Sequence, residues 1–401
     1  MADNIVITAA GIVSALGIGY EANLQALRDL RHGLQHPQFL RTIHNDLLIG
    51  EVRLSDDALA ESLSISLARE PYTRTSLLAI TAMKELVQDI DLETLREENV
   101  AFINANTVGG MCSVEDMYME FISDHYDGDF VKYIDTLDCA ASTQDVIHYF
   151  KIRPFTATLS TACSSSSNAM IVGARMIAQG LVDKAICGGC DAMSRYTVNG
   201  FLSLKNVDKQ HCKPFDQNRN GLNLGEGAAF VMLEKETAAK ARGANILAHF
   251  SGYNNSNDAY HPTAPSPDGS GALRAMTQAL AKARLQPQDI NYINAHGTAT
   301  LNNDTAEGKA IQQLFGGGVP FSSTKPFTGH TLAAAGAVEA LFSMMALREN
   351  MILPNLNFET PMEELNITPV RDLITDRRLN HVISNSFGFG GNNVSLIFSK
   401  A

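Results

Sequence analysis

The chain has 401 residues, of which 45% are hydrophobic and 18% charged, with 30 glycines and a formal net charge of −12. That length supports a large core in one unit or in two or three domains, and a charged fraction below the usual ~25% suits a heavily buried α/β enzyme. The acidic balance argues against general binding to nucleic acid or anionic membranes. No apolar run of about 18 residues lacks polar breaks, so no membrane-spanning helix is expected. The start, Met1-Ala2-Asp3-Asn4-Ile5, carries neither a basic nor an apolar leader pattern, so the expected location is cytoplasmic.

In chain order, Asn4–Ala9 predicts a strand followed by a glycine turn. Ser76–Ile90 has helical spacing, Val100–Ala105 and Phe155–Ser160 are strand-like, and Ser164–Leu181 is a long apolar helix. Strand Gly227–Leu233 and helix Glu236–Ala241 come next. Strand Ile246–Gly252, helix Gly271–Ala283, strand Asn291–Asn294 and helices Thr305–Phe315 and Thr331–Asn350 follow. Strand Val394–Ser399 closes the series. Such alternation predicts α/β layers around buried sheets. A division near Ala238–Ala244 gives two α/β halves, 1–241 and 242–401. Residues 31–75 are the least regular.

The six cysteines read as reduced thiols in a chain of this length without a leader. Cys187-Gly-Gly-Cys190 has redox or zinc spacing, but no second ligand pair stands at a familiar distance, and His211-Cys212 supplies none. No metal is expected. The plain reading is a buried strand end running into a glycine turn.

Four segments carry chemistry. In Ser160-Thr-Ala-Cys163-Ser-Ser-Ser-Ser-Asn168, the cysteine sits between a strand and an apolar helix. The helix dipole there favours a thiolate, and the sharp turn presents the sulfur outward. An inert cysteine among N-capping serines fits the same residues. In Asn294-Ala-His296-Gly-Thr298-Ala-Thr300, a histidine follows a strand and opens a polar loop, where α/β enzymes keep their chemistry; a structural histidine fits too. Lys325-Pro-Phe-Thr-Gly-His330-Thr opens an Ala/Gly-rich helix, whose N-terminus disfavours imidazolium. A lysine so near a buried helix needs a carboxylate, and Glu307 is the obvious candidate. Asn385-Ser-Phe387-Gly-Phe389-Gly-Gly-Asn392 lacks phosphate-loop spacing, but its backbone N–H groups can form an oxyanion hole.

Together, in this order and spacing, these segments resemble the elongating β-ketoacyl-acyl-carrier-protein synthases, type I/II condensing enzymes of the thiolase superfamily. The resemblance runs from Ile5-Val-Ile-Thr to Asn385-Ser-Phe-Gly-Phe-Gly-Gly. It includes Lys213-Pro-Phe-Asp, Gly225-Glu-Gly and Asn257-Asp-Ala-Tyr-His-Pro-Thr. Residues 31–75 and 111–150 match poorly.

The resemblance implies two duplicated α/β halves in a five-layered α-β-α-β-α fold. It implies a catalytic triad of Cys163, His296 and His330, with Lys325 paired to Glu307 and Asp304 beside them. An oxyanion hole would come from the N–H groups of Cys163 and Phe389, with Phe389 as a gate. Thr298, Thr300 and Thr263 would bind the pantetheine arm, and Val108 and Phe387 would line the acyl pocket. The reaction implied is acyl transfer from a carrier protein to Cys163, then condensation with malonyl-carrier protein and loss of carbon dioxide. No metal or diffusible cofactor is implied, since the carrier supplies the phosphopantetheine. The expected partners are the acyl carrier protein and either a second copy or a chain-length-factor-like homologue. The rival reading is the non-catalytic factor itself, a subunit type that lacks the cysteine.

The sequence departs from the family pattern at Ala333, Lys213, Ala299, Leu301 and Ala264, none of them in the triad. The divergent 31–75 region, and the Met-, Phe- and Tyr-rich stretch after Val108, suggest a specialised chain such as an aryl polyene. Lys205, Arg69 and Arg74 are the expected carrier-docking cations.

Overall fold

The structure, a computed structural model, describes residues 4–68, 71–90, 92–123 and 129–401. Eleven strands form the framework of the described chain: β1 Ile5–Ser14, β2 Gly17–Ile18, β3 Val100–Ala105, β4 Phe155–Leu159, β5 Lys184–Asp191, β6 Gly227–Lys235, β7 Ala248–Asn257, β8 Tyr292–Asn294, β9 Phe321–Ser322, β10 His381–Gly388 and β11 Asn392–Ser399. Their order is β4-β3-β5-β6-β1-β7-β11-β10-β8-β9, with β2 on β1.

That path contains the same arrangement twice. Setting β2 aside, β1, β3, β4, β5 and β6 are first to fifth, and they stand in the order third, second, fourth, fifth, first. Read inward from β9, strands β7 to β11 repeat that order. The two five-stranded arrays join where β1 pairs with β7, through Val6–His249 and Ile7–Ala248.

Helix Ser165–Ala178 lies on β3, β5 and β6, and helix Ala335–Glu349 lies on β10 and β6. These two helices touch each other between the arrays. Arg74–Leu86 covers β1 and β6 from outside, and Ser270–Ala283 covers β7 and β11. The result is five layers, α-β-α-β-α. Both central helices are buried nearly all round, as helices covered on two sides must be. A central apolar core and two outer ones fill the gaps between layers.

Two glycine readings are corrected. β1 does not turn at Gly11 but runs through it, because a Cβ there would lie 2.0 Å from the Ala82 carbonyl oxygen of the overlying helix. The turn comes at Gly17, with φ 146°. β5 likewise continues through Gly188 and Gly189 to Asp191. A Cβ on Gly188 would meet the Ala229 oxygen at 1.9 Å. Cys187 faces the central core and Cys190 an outer one, so this CxxC cannot share a ligand. The helix expected from Thr331 begins as a 3-10 turn, Leu332–Ala334, before Ala335–Glu349. No helix among the described residues is long and apolar enough to cross a membrane.

Candidate active site

Cys163 sits on a tight elbow. After β4, Ala162 takes a left-handed φ of 52°, and the helix starts two residues beyond the cysteine. Local serines hold this shape: Ser165 Oγ accepts from the Thr161 N–H at 2.8 Å, and Ser164 Oγ donates to the Thr161 carbonyl at 2.8 Å. Ser166 and Ser167 reach outward instead. Ser166 Oγ accepts from the Ala337 N–H, and Ser167 Oγ bonds Ser386 Oγ, both at 2.9 Å. The run of serines therefore fastens the elbow to the other half. Gly388 closes over it, where a Cβ would lie 3.0 Å from the Cys163 nitrogen.

His296 follows β8 and is fully buried. Glu307 accepts the N–H groups of His296 at 2.9 Å and Gly297 at 2.8 Å, and Asn385 Nδ2 at 3.1 Å. That corrects the expected Lys325–Glu307 pair. Glu307 spends its oxygens on the histidine loop, and Lys325 pairs with Glu339 from the central helix. Asp304 has a parallel task, accepting from the Phe215 N–H at 2.7 Å.

Cys163, His296 and His330 come together, the sulfur and one ring nitrogen of each histidine lying within 4.8 Å of one another. The rings stand nearly perpendicular, at 87°. Their protonation follows from their neighbours. Lys325 Nζ donates to His296 Nδ1 at 3.2 Å, and the Leu332 N–H donates to His330 Nδ1 at 3.1 Å. Both Nδ1 atoms are acceptors, so in the neutral rings both protons sit on Nε2. His330 Nε2 is buried with no partner among the described residues. A metal-binding histidine has the reverse pattern, donating its outer N–H to a carboxylate or carbonyl. The two Nε2 atoms are therefore left to donate hydrogen bonds beside the thiol.

Burial, then the charge of Lys325, holds the pKa of both histidines well below the ordinary value. Burial also pushes the Cys163 thiol up to about 11, although Lys325 and the N–H groups of Phe389 and Cys163 pull it down. Burial thus works against the expected dipole-favoured thiolate and favours the neutral thiol. Burial raises Glu307 and Glu339 to about 7 and Asp191 to about 6.

The trio opens into a cleft of about 350 Å³, also lined by Thr298, Thr300, Thr263, Phe387 and Phe389. The Thr298 and Thr300 hydroxyls bond each other at 2.8 Å. Phe389 stacks on Phe201, with centroids 5.7 Å apart. Val108 lies outside the cleft lining, in an apolar cluster with Leu47, Ile49, Met193, Phe201, Leu222 and Leu332. Phe201 and Leu222 face the cleft as well, so the cluster backs directly onto it. Residues 31–75, unreadable in sequence, thus supply Leu47 and Ile49 to the wall around Val108.

Lys205 is exposed at the cleft rim. Arg74 is corrected: it is buried in ion pairs with Glu226 at 2.6 Å and Asp56 at 2.7 Å, and cannot serve as a docking cation. Arg69 lies outside the described residues. The sequence reading missed Glu339, Asn385 and Phe201. Glu339 left a signal, since it is the only charge in the run Ala335–Leu347.

Residues 2–239 match the family described as beta-ketoacyl synthase, N-terminal domain, and residues 247–359 match beta-ketoacyl synthase, C-terminal domain. The chain is 34% identical over 341 residues to a 3-oxoacyl-[acyl-carrier-protein] synthase 2 of Staphylococcus aureus (strain COL), a match covering 82% of each. The protein of that name from Rhizobium meliloti (strain 1021) is 42% identical over 275 residues, 66% of this chain and 65% of that one. Among solved structures, the ishigamide ketosynthase/chain length factor superposes with a TM-score of 0.92 at 27% identity, covering 100% of both chains. A ketosynthase in complex with its chain length factor from Xenorhabdus doucetiae gives 0.85 at 32% identity, covering 100% of this chain and 98% of that one. A thiolase-like fold with one cysteine and two histidines in a single cleft defines the class. The chain belongs to the beta-ketoacyl synthase family.

Proposed function

We propose that the protein is a β-ketoacyl-carrier-protein synthase that condenses a Cys163-bound acyl chain with malonyl-carrier protein. One observation carries this: a buried thiol and two buried histidines, each accepting a hydrogen bond at Nδ1 and so left with Nε2 to donate, converge in one cleft.

In the first half-reaction, Cys163 sulfur attacks the acyl thioester. Its proton passes to the departing pantetheine sulfur. The oxyanion sits on the N–H groups of Cys163 and Phe389, which already face the sulfur. Such a donor is worth about 3–4 kcal/mol. In the second, His296 and His330 donate to the malonyl thioester oxygen. The carbon–carboxylate bond breaks, carbon dioxide leaves, and its electron pair forms an enolate held by those donors. The enolate carbon attacks the acyl carbonyl, and Cys163 sulfur leaves and regains a proton. Neutral donors suit this step, because an imidazolium would protonate the carbanion. Phe389 must leave its stack on Phe201 to admit each substrate in turn.

The phosphopantetheine arm would come with the carrier, along Thr263, Thr298 and Thr300; no metal or diffusible cofactor enters these steps. The non-catalytic factor reading conflicts with the thiol in place. Pairing with such a factor is a second reading, favoured by the similarity to ketosynthases solved with chain length factors. A specialised acyl chain such as an aryl polyene rests on the divergent 31–75 region and the Met-, Phe- and Tyr-rich stretch after Val108. Mass spectrometry of Cys163 after incubation with acyl-carrier protein tests the proposal. A thioester on that residue is expected, and free acid with unmodified Cys163 contradicts it.

A further inference from the structure

Asp191 ends β5 and is fully buried, yet no step above uses it. Its carboxylate accepts from five donors on two separate segments. Oδ1 takes Asn106 Nδ2 at 2.9 Å, the Thr107 N–H at 3.0 Å and the Val108 N–H at 3.2 Å. Oδ2 takes the Thr107 hydroxyl at 2.5 Å and the Ala333 N–H at 2.8 Å. The first segment carries Val108 into the apolar wall behind the cleft. The second carries His330.

Leu332, between His330 and Ala333, has a left-handed φ of 53°. A leucine holds that conformation only where its surroundings enforce it. Its own N–H is the donor that fixes His330 Nδ1 as an acceptor. The next N–H, of Ala333, is the one Asp191 holds. The strained turn that selects the His330 tautomer is thus anchored to the same carboxylate as the Val108 loop.

We propose that Asp191 is a positioning residue that registers the apolar wall at Val108 to the placement of His330, so that a seated acyl chain and a correctly aimed Nε2–H occur together. The inference rests on the condensing activity proposed above. An amide at 191 separates its two sides. Asn can keep an oxygen toward the 106–108 donors, but its NH₂ would then face the Ala333 N–H, which cannot reverse.

The test compares the full-length enzyme with Asp191→Asn, using octanoyl-carrier protein, malonyl-carrier protein and ¹⁵N-histidine NMR. Acylation of Cys163 is expected to stay within about 3-fold, while condensation kcat falls about 10- to 100-fold. The His330 signals are expected to show a fraction of Nδ1–H tautomer absent from the wild type. Thr107→Val, which removes one hydroxyl donor, is the milder variant should Asp191→Asn not fold. It is expected to shift condensation in the same direction by about 3-fold, with the tautomer change following. The inference is overturned if both half-reactions fall equally, or if the His330 tautomer is unchanged in the variant. Wild-type enzyme that releases no carbon dioxide from malonyl-carrier protein overturns it together with the reading it rests on.

Discussion

Lys325 Nζ lies 3.2 Å from His296 Nδ1 and forms its ion pair with Glu339. One buried cation therefore fixes a tautomer and neutralises a carboxylate. Lys325→Ala should release both. An orphaned buried charge costs about 3–5 kcal/mol, so the thermal midpoint should fall sharply. In Lys325→Ala/Glu339→Ala the stability should largely return, while condensation stays depressed by at least ~10²-fold. Calorimetry and product assays on the three proteins check this. Activity returning with stability would show that Lys325 matters only as a charge partner.

The resting thiol predicts an unusual alkylation profile. A thiol pushed to about 11 by burial is almost wholly protonated at neutral pH. Its reaction with iodoacetamide should accelerate about tenfold per pH unit from 7 to 10. A plateau already reached near pH 7 would show a stabilised thiolate.

Both histidines should remain neutral across the working range. Burial depresses their pKa, so the charged form appears only at pH well below the ordinary value of 6.5. ¹⁵N NMR should show Nε2–H tautomers for His296 and His330, unchanged between pH 8 and 6. The sign for stability follows. The unfolded histidines bind protons below about 6.5 and the folded ones do not. Their contribution is complete above that pH and is lost as pH falls toward the folded values. Glu307 and Glu339, raised to about 7, act in the opposite sense: their contribution is complete below about 4.5 and is lost as pH rises through 7. The net curve is therefore flatter than either set alone.

The wall around Val108 should set chain length. Val108→Phe adds bulk beside Phe201 and Leu332 and should shift preference toward shorter acyl chains. Leu47→Ala should open space at a cost of about 2–5 kcal/mol and shift preference toward longer ones. Competition among acyl-carrier proteins of graded length, read by product mass, checks both. Unchanged preference in both variants would place the acyl chain elsewhere.

Much of the site was legible because its chemistry lies in contiguous motifs at strand ends. Cys163, His296, His330 and Phe389 each follow a strand or open a helix, and the structure gathers them in one cleft. The Lys325 partner was misread because a buried ion pair depends on which helix lies opposite. Glu307 was nearer in motif, but Glu339 is nearer in space. Burial opposes the dipole effect expected at Cys163, because sequence shows a helix end but not how completely water is excluded from it. Gly11, Gly188 and Gly189 read as turns in the sequence, which shows the missing side chain but not the backbone that needs the room. The part played by Leu47 and Ile49 was hidden because an irregular loop has no periodicity to place its buried residues.

In the proposed mechanism two neutral histidines drive loss of carbon dioxide while Cys163 holds the acyl group. The direct measurement is release of labelled carbon dioxide from malonyl-carrier protein, with the β-ketoacyl product weighed in the same reaction. Both are expected in the wild type. Condensation but not acylation should fall by at least ~10²-fold in His296→Ala and His330→Ala, and Cys163→Ala should give no condensed product. Undiminished release of carbon dioxide from the histidine variants, or a condensed product formed without Cys163, would contradict it.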